Sequence, residues 1–311
     1  PSMLVCECSA SPGHGRAIAA HLAWSGSHSI SVERLPDGST ELCAEPLYEP
    51  GEIRLAPGEH VVTPKLIVAV SENGFDELSG RLHAFARSQS RVVPRPVHFN
   101  TWEARYFDFD AASLVELAAQ AAALGAERFV LDDGWFTGRR DDTSSLGDWE
   151  PDADRFPQGL GPLIRNVQSL GMTFGLWVEP EMVSRESALY RAHPEWVLGY
   201  PDTEAPTGRN QLVLDMSNPD VQNYLFEALS KLLDVGGIEY LKWDCNRELY
   251  PAAINGRGRA TSQTLGVYAL MDRLQVRFPE LEIESCASGG GRIDFGILPR
   301  VTRFWASDAT D

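Results

Sequence analysis

Carboxylates recur along the chain, each placed directly after an apolar run. "RFVLDD" ends in Asp132 and Asp133, "GLWVEPE" carries Trp177, Glu179 and Glu181, "EYLKWDCN" carries Asp244, and "RFWASD" ends in Asp308. A strand that only packed would stay apolar and stop at a turn residue. Two carboxylates across a sugar ring are the minimum equipment for glycoside hydrolysis, one as nucleophile or base and the other as acid. Lys242 precedes Asp244 by two residues and therefore shares its face of a strand. There it either keeps Asp244 ionised or binds a substrate hydroxyl. Trp102, Trp135, Trp177 and Trp243 sit at or near strand ends, and indole faces pack well on the apolar face of a pyranose.

Blander readings stand beside these. "DDGW" suits a turn or helix cap, "EPEM" a turn with solvated glutamates, each tryptophan a core position, and Cys286 a core thiol. "CASGGGR" lacks the "GKS" or "GKT" of a phosphate loop, and the lone "HP" at His193 reads as structural. No paired histidines or calcium-loop spacing supports a metal, so neither metal nor cofactor is expected.

The elements that must position these residues change character along the chain. Up to about residue 93, short β-rich runs ("RAIAAHLAW", "HSISVERL", "STELCAEP", "GEHVVTPKLIVAV") alternate with turn signals such as "PDGS" and "APGE", an antiparallel pattern. A helical run at "GFDELSGRLHAFARS" and a linker at "RVVPRP" follow. From about Pro96, strand-like runs ("VHFNTW", "RFVLDD", "TFGLWVEP", "QLVLD", "EYLKWD", "LEIESC", "RFWASD") mostly alternate with helices such as "AASLVELAAQAAALG" and "NPDVQNYLFEALSKLLDVG", the latter with Asn218 as N-cap and Gly236 as C-cap.

Regular βα alternation predicts a parallel sheet. About seven units without a dinucleotide fingerprint predict an incomplete (β/α)8 barrel, the TIM-barrel fold, over residues 94–311, preceded over residues 1–93 by the end of a β-sandwich domain. In such barrels the active site lies at the C-terminal strand ends. The expected fifth and seventh strands flank a single strand, so Asp244 and Asp308 are expected to face each other across a ring.

Bulk properties narrow the partners. The chain has 311 residues, 43% hydrophobic, with 27 basic against 44 acidic side chains for a formal charge of -17. That balance disfavours nucleic acid and anionic membranes, which need clustered Lys and Arg. No apolar run approaches the roughly 18 residues of a membrane span, and the N-terminus lacks a secretory signal. Five cysteines (Cys6, Cys8, Cys43, Cys245, Cys286) form an odd, sparse set, which suits free thiols in a reducing, cytoplasmic compartment. The chain starts at Pro1 and stops at "SDATD" just after a strand signal, and so reads as a fragment.

Taken in order, "LDDGWF", "GDWEPDADRFPQGL", "GLWVEPEMVS", "LDMSNPDV", "YLKWDCNRE", "ESCASGGGRIDFGIL" and "WASDATD" closely resemble the α-galactosidases (melibiases) of glycoside hydrolase family 36, strongly over residues 96–311. Residues 1–93 resemble the tail of that family's N-terminal β-supersandwich. The resemblance implies a retaining hydrolase of melibiose- and raffinose-type oligosaccharides, without a cofactor. Asp244 would be the nucleophile and Asp308 the acid/base. Asp132 and Asp133 would bind the galactose 4- and 6-hydroxyls, Trp177, Lys242, Asn246, Cys286 and Gly289 would line the sugar subsite, and Trp102 and Arg209 would shape its rim. Family members continue past "SDATD" and are often tetramers. An α-N-acetylgalactosaminidase on the same scaffold, a transglycosylase and a non-catalytic galactoside binder are the alternatives. Cys286 followed by "ASGGG" favours the smaller 2-hydroxyl over an acetamido group.

Overall fold

A computed structural model describes residues 2–91 and 93–310. Pro1, Val92 of the "RVVPRP" linker and Asp311 lie outside the described residues. The N-terminal runs form β1 (Ser2–Cys6), β2 (Ala17–Leu22), β3 (His28–Arg34), β4 (Thr40–Pro46) and β5 (Leu66–Ser71). They pair antiparallel in the order β1-β2-β5, with β3 and β4 as a separate hairpin. The hairpin turns at "PDGS", where Gly38 has φ 86° and Asp37 accepts a hydrogen bond from the Ser39 backbone, the local chemistry that turns favour. Helix α1 (Gly74–Gln89) lays Leu78 on Ala17 and Ala19 of β2.

The β/α part runs β6 (His98–Asn100), α2 (Trp102–Arg105), α3 (Ala111–Ala123), β7 (Arg128–Leu131), α4 (Gly161–Ser169), β8 (Thr173–Val178), β9 (Met182–Ser184), α5 (Ala188–Ala192), β10 (Gln211–Val213), α6 (Pro219–Leu233), β11 (Ile238–Trp243), β12 (Ala253–Ile254), β13 (Arg257–Gly258), α7 (Ala260–Arg277), β14 (Glu282–Ser285) and β15 (Arg303–Phe304). Helix α3 starts in a capping box between Asp110 and Ser113, and α6 starts at Asn218, whose side chain accepts from the Asp220 backbone at 2.9 Å. Each satisfies donors that a helix end leaves orphaned.

Six strands make one parallel sheet in the order β6-β7-β8-β11-β14-β15. The sheet curls until its edges approach: Arg303 of β15 donates to the Pro96 carbonyl, and Arg95 donates to the Thr302 carbonyl. One face carries Phe129, Leu131, Phe174, Leu176, Leu241 and Ile283, all fully buried. The opposite, inward face is polar at its base. Arg128 pairs with Glu282 at 2.6 Å and lies 4.5 Å over the Tyr240 ring.

The expected strand "QLVLD" is a correction. Its residues form β10, which pairs antiparallel with β9 rather than joining the parallel sheet, so among the described residues six of the seven expected strands line up. A parallel neighbour needs a crossover of a dozen or more residues, usually helical. The segment 185–210 between β9 and β10 is long enough but holds only short helical pieces, the five-residue α5 and a 3-10 turn at Pro194–Trp196, and it ends in a tight turn with Arg209 and Asn210 at φ 50° and 61°. None of the helices among the described residues is long and apolar enough to cross a membrane.

Candidate active site

The strand ladders extend one residue beyond several strand ends, and this fixes where the polar residues leave the sheet. Thr101 donates to Val130, Asp244 to Val178, Cys286 to Trp243 and Trp305 to Ser285, all backbone to backbone at 2.8 to 3.1 Å. Beyond these ends lies a cavity of about 180 Å³. Trp102, Asp132, Asp133, Trp177, Arg209, Lys242, Asp244, Asn246 and Asp308 all line it. Arg209 and Asp308 are exposed at its mouth, whereas Asp132, Asp133, Trp177, Lys242 and Asp244 are buried.

On one side the carboxylates are ion-paired. Lys242 Nζ reaches Asp132 Oδ2 at 2.9 Å, with both side chains almost inaccessible. Burial works against the lysine's charge, but the Asp132 carboxylate beside it, helped by Asp244, outweighs burial and raises its pKa above the ordinary value. Asn100 also donates to Asp132 Oδ2 at 2.6 Å, while its own oxygen accepts from the Trp102 backbone. That one amide ties the floor to the rim tryptophan. Arg139 grips Asp133 with two parallel bonds, Nε to Oδ1 at 3.0 Å and Nη2 to Oδ2 at 2.7 Å, the geometry that makes arginine-carboxylate pairs strong.

Asp244 is held differently. Its Oδ2 accepts from Trp177 Nε1 at 3.1 Å and from Asn246 Nδ2 at 2.6 Å, and its Oδ1 accepts from the Cys245 backbone at 2.9 Å. Asp308 accepts from Trp305 Nε1 at 3.2 Å, and the Trp305 ring stacks 4.6 Å from Lys242 Nζ. Glu179 is wholly buried beside them. Burial first and the Asp244 charge second push its pKa up to about 8.

Two of the expected subsite residues stand behind the cavity rather than on its wall. Cys286 is buried against Asp244, and burial followed by that carboxylate drives its thiol pKa upward, so it is a neutral thiol. Gly289 has φ 81° and lies so close to the following loop that a Cβ would come within 3.0 Å of the Asp308 backbone nitrogen. It sets how near the Asp308 segment approaches. Trp135 and Trp243 correct the expected ring of four tryptophans, since both are fully buried in the core. Their indoles donate to the Trp177 carbonyl and to Glu181. "EPEM" is no solvated turn either, because Glu179 and Glu181 are both buried and Glu181 pairs with Arg292 at 2.7 Å.

Arg139, Phe107, Gln211 and Trp305 escape the sequence reading, and only Trp305 carries a usable signal. It follows Arg303 by two residues and so shares its inward face. Among the described residues no group of three or more His, Cys, Asp or Glu side chains is arranged to hold a metal.

A family model described as Melibiase matches residues 61–311. The chain belongs to the Melibiase family. An α-galactosidase of Escherichia coli is 46% identical to it over 315 residues, covering all of this chain and 44% of that protein. The α-galactosidase AgaA of Geobacillus stearothermophilus is 45% identical over 268 residues, 83% of this chain and 37% of that protein. Crystal structures of substituted forms of AgaA, a glycoside hydrolase family 36 enzyme, superpose with a TM-score of 0.93. One, in complex with stachyose, is 39% identical and is matched over all of this chain and 45% of its own. Another, in complex with raffinose, is 38% identical over the same shares. This chain thus spans less than half the length of the curated relatives it matches.

Proposed function

We propose that the protein carrying this chain is a retaining α-galactosidase that releases terminal α-galactosyl residues from oligosaccharides such as melibiose and raffinose. The observation that carries the reading is the placement of Asp244 and Asp308 on one cavity whose floor is built of ion-paired carboxylates. In this mechanism an Asp244 oxygen attacks the anomeric carbon as the glycosidic C–O bond breaks, and Asp308 gives its proton to the departing oxygen. Asp308 then takes a proton from water, whose oxygen displaces Asp244 from the anomeric carbon. Trp177, Asn246 and the Cys245 backbone stabilise the carboxylate that leaves. Asp132 and Asp133, fixed as acceptors by Lys242 and Arg139, receive the 4- and 6-hydroxyls, and Trp102 and Arg209 shape the entrance. Cys286 and Gly289 support this subsite from behind.

The domain division follows the same reading: residues 1–93 end an N-terminal β-supersandwich, and residues 94–311 belong to the catalytic (β/α)8 barrel. The family resemblance favours a homo-oligomer for the whole protein, which sedimentation of that protein tests.

The test of function is release of 4-nitrophenol from the α-galactoside and the α-N-acetylgalactosaminide by the full-length protein, with proton NMR to identify the first anomer formed. Turnover of the galactoside with α-galactose appearing first is expected. Turnover of neither substrate with sugar binding intact leaves a binding module, and β-galactose as first product overturns the retaining step.

A further inference from the structure

Five carboxylates are buried at or just past the ends of β7, β8 and β11, and four have an evident reason to be tolerated there. Asp132 has Lys242, Asp133 has Arg139, Glu181 has Arg292, and Asp244 has three hydrogen-bond donors. Glu179 is the exception. It is 0% exposed, its partners are the Asn246 backbone N–H and the Gln211 side-chain amide, and among the described residues no cation lies within salt-bridge reach of it.

Its placement is that of a strut. β8 and β11 run parallel, and their ladder ends with the Asp244 N–H donating to the Val178 carbonyl at 2.8 Å. Two residues further on, where a strand would need another carbonyl, the Asn246 N–H donates to Glu179 Oε1. The side chain therefore extends the ladder past the end of β8. Asn246 in turn donates its amide to Asp244 Oδ2 at 2.6 Å and accepts from Ser288 at 3.2 Å.

We propose that Glu179 is a positioning residue that works as a neutral carboxylic acid, fixing Asn246 and through it the Asp244 carboxylate without adding a second negative charge beside the nucleophile. The proposal rests on the α-galactosidase reading of the site. Three observations support it. Like charges in one dry site cannot both ionise cheaply, and Asp244 and Asp133 both raise the cost of ionising Glu179. Neither partner of Glu179 carries a charge that would repay ionisation. Gln211 lies 2.9 Å away with its amide nitrogen toward Glu179 Oε2, while its amide oxygen is buried without a partner. Amide oxygen and nitrogen exchange by a simple flip, and the flipped oxygen would accept the Glu179 proton.

The test compares Glu179→Gln and Glu179→Ala in the full-length protein, reading kcat and KM on 4-nitrophenyl α-galactoside across pH. That leaving group departs without a proton, so the Asp308 acid function does not dominate kcat/KM. Glu179→Gln, a neutral shape mimic, is expected to keep kcat within about threefold and to extend activity to higher pH, whereas Glu179→Ala loses about 10- to 100-fold in kcat with little change in KM, as misplacement of a reacting group does. A Gln variant as damaged as the Ala variant, or an alkaline limb that does not move, overturns the inference. Should the Ala variant fail to fold, the Gln profile alone decides. Absence of turnover in the unsubstituted protein would instead sink the α-galactosidase reading itself.

Discussion

The carboxylates on the two sides of the cavity are supported in opposite ways. Asp132 and Asp133 are each locked to a buried cation, Lys242 and Arg139, with side chains at most 8% exposed. Asp244 is ringed by neutral N–H donors, and Asp308 stands exposed with one indole N–H beside it. A group that must only accept hydroxyls is best held immobile, and the cation partner of Asp133 works against a burial that raises its pKa. A nucleophile must be charged yet free to form a bond, which an ion pair would have to surrender. A proton carrier must exchange with water, which burial would prevent. On the proposed reading of the site, the contrast separates recognition from chemistry.

The largest expected effect tests the chemical side. Asp244→Ala should lower turnover by on the order of 10⁴-fold or more, while galactose affinity by calorimetry stays within a few-fold; comparable turnover would break the contrast. Asp308→Ala should cost about 10²- to 10⁴-fold on raffinose, whose leaving group needs a proton. On the 4-nitrophenyl galactoside its first step should survive and show a burst, and loss of that burst would assign Asp308 to something other than proton delivery. The recognition side is tested by stability. Lys242→Met strands a buried Asp132, and removing one partner of such a pair typically costs about 3 to 5 kcal/mol. Urea unfolding that shifts by less than about 1 kcal/mol would show that Asn100 alone carries Asp132.

Much of this was legible in the sequence, and the failures have physical causes. Strand ends carrying Asp132, Asp133, Asp244 and Asp308 are visible because each carboxylate interrupts an apolar run, and a barrel gathers strand ends at one mouth. Lys242 is legible because strand side chains alternate. The "QLVLD" strand was misplaced because apolar pattern fixes a strand but not its partner, which here depends on the positive-φ turn at Arg209 and Asn210. Arg139 sits in a loop, where no periodicity says which way a side chain points. Trp135 and Trp243 were drawn into the rim because position near a strand end does not reveal which face a side chain takes. Glu179 was recognised as part of an acidic cup, but its lack of a countercharge depends on what other strands bring beside it.

The same contrast continues below the cavity, where Glu284 tests it most gently. It lies on the inward face of β14 in register with Lys242, and it is almost fully buried with one oxygen unpartnered. Burial raises its pKa to about 7, against the pull of the Tyr240 hydroxyl, Lys242 and Arg303, and Asp132 adds to the rise. The native state therefore keeps a proton that the unfolded chain releases at its ordinary value of 4.5. The stabilising contribution is complete below that value and is lost as pH rises through about 7, a linkage on the order of 3 kcal/mol. Glu284→Gln removes the titrating group and preserves its shape. Urea unfolding of the two proteins from about pH 5 to about pH 8 should thus show the unsubstituted protein losing stability relative to the variant as pH rises. Parallel curves would mean that Lys242 and Arg303 hold Glu284 ionised, and that ion pairing extends from the cavity floor down the inward face of the sheet.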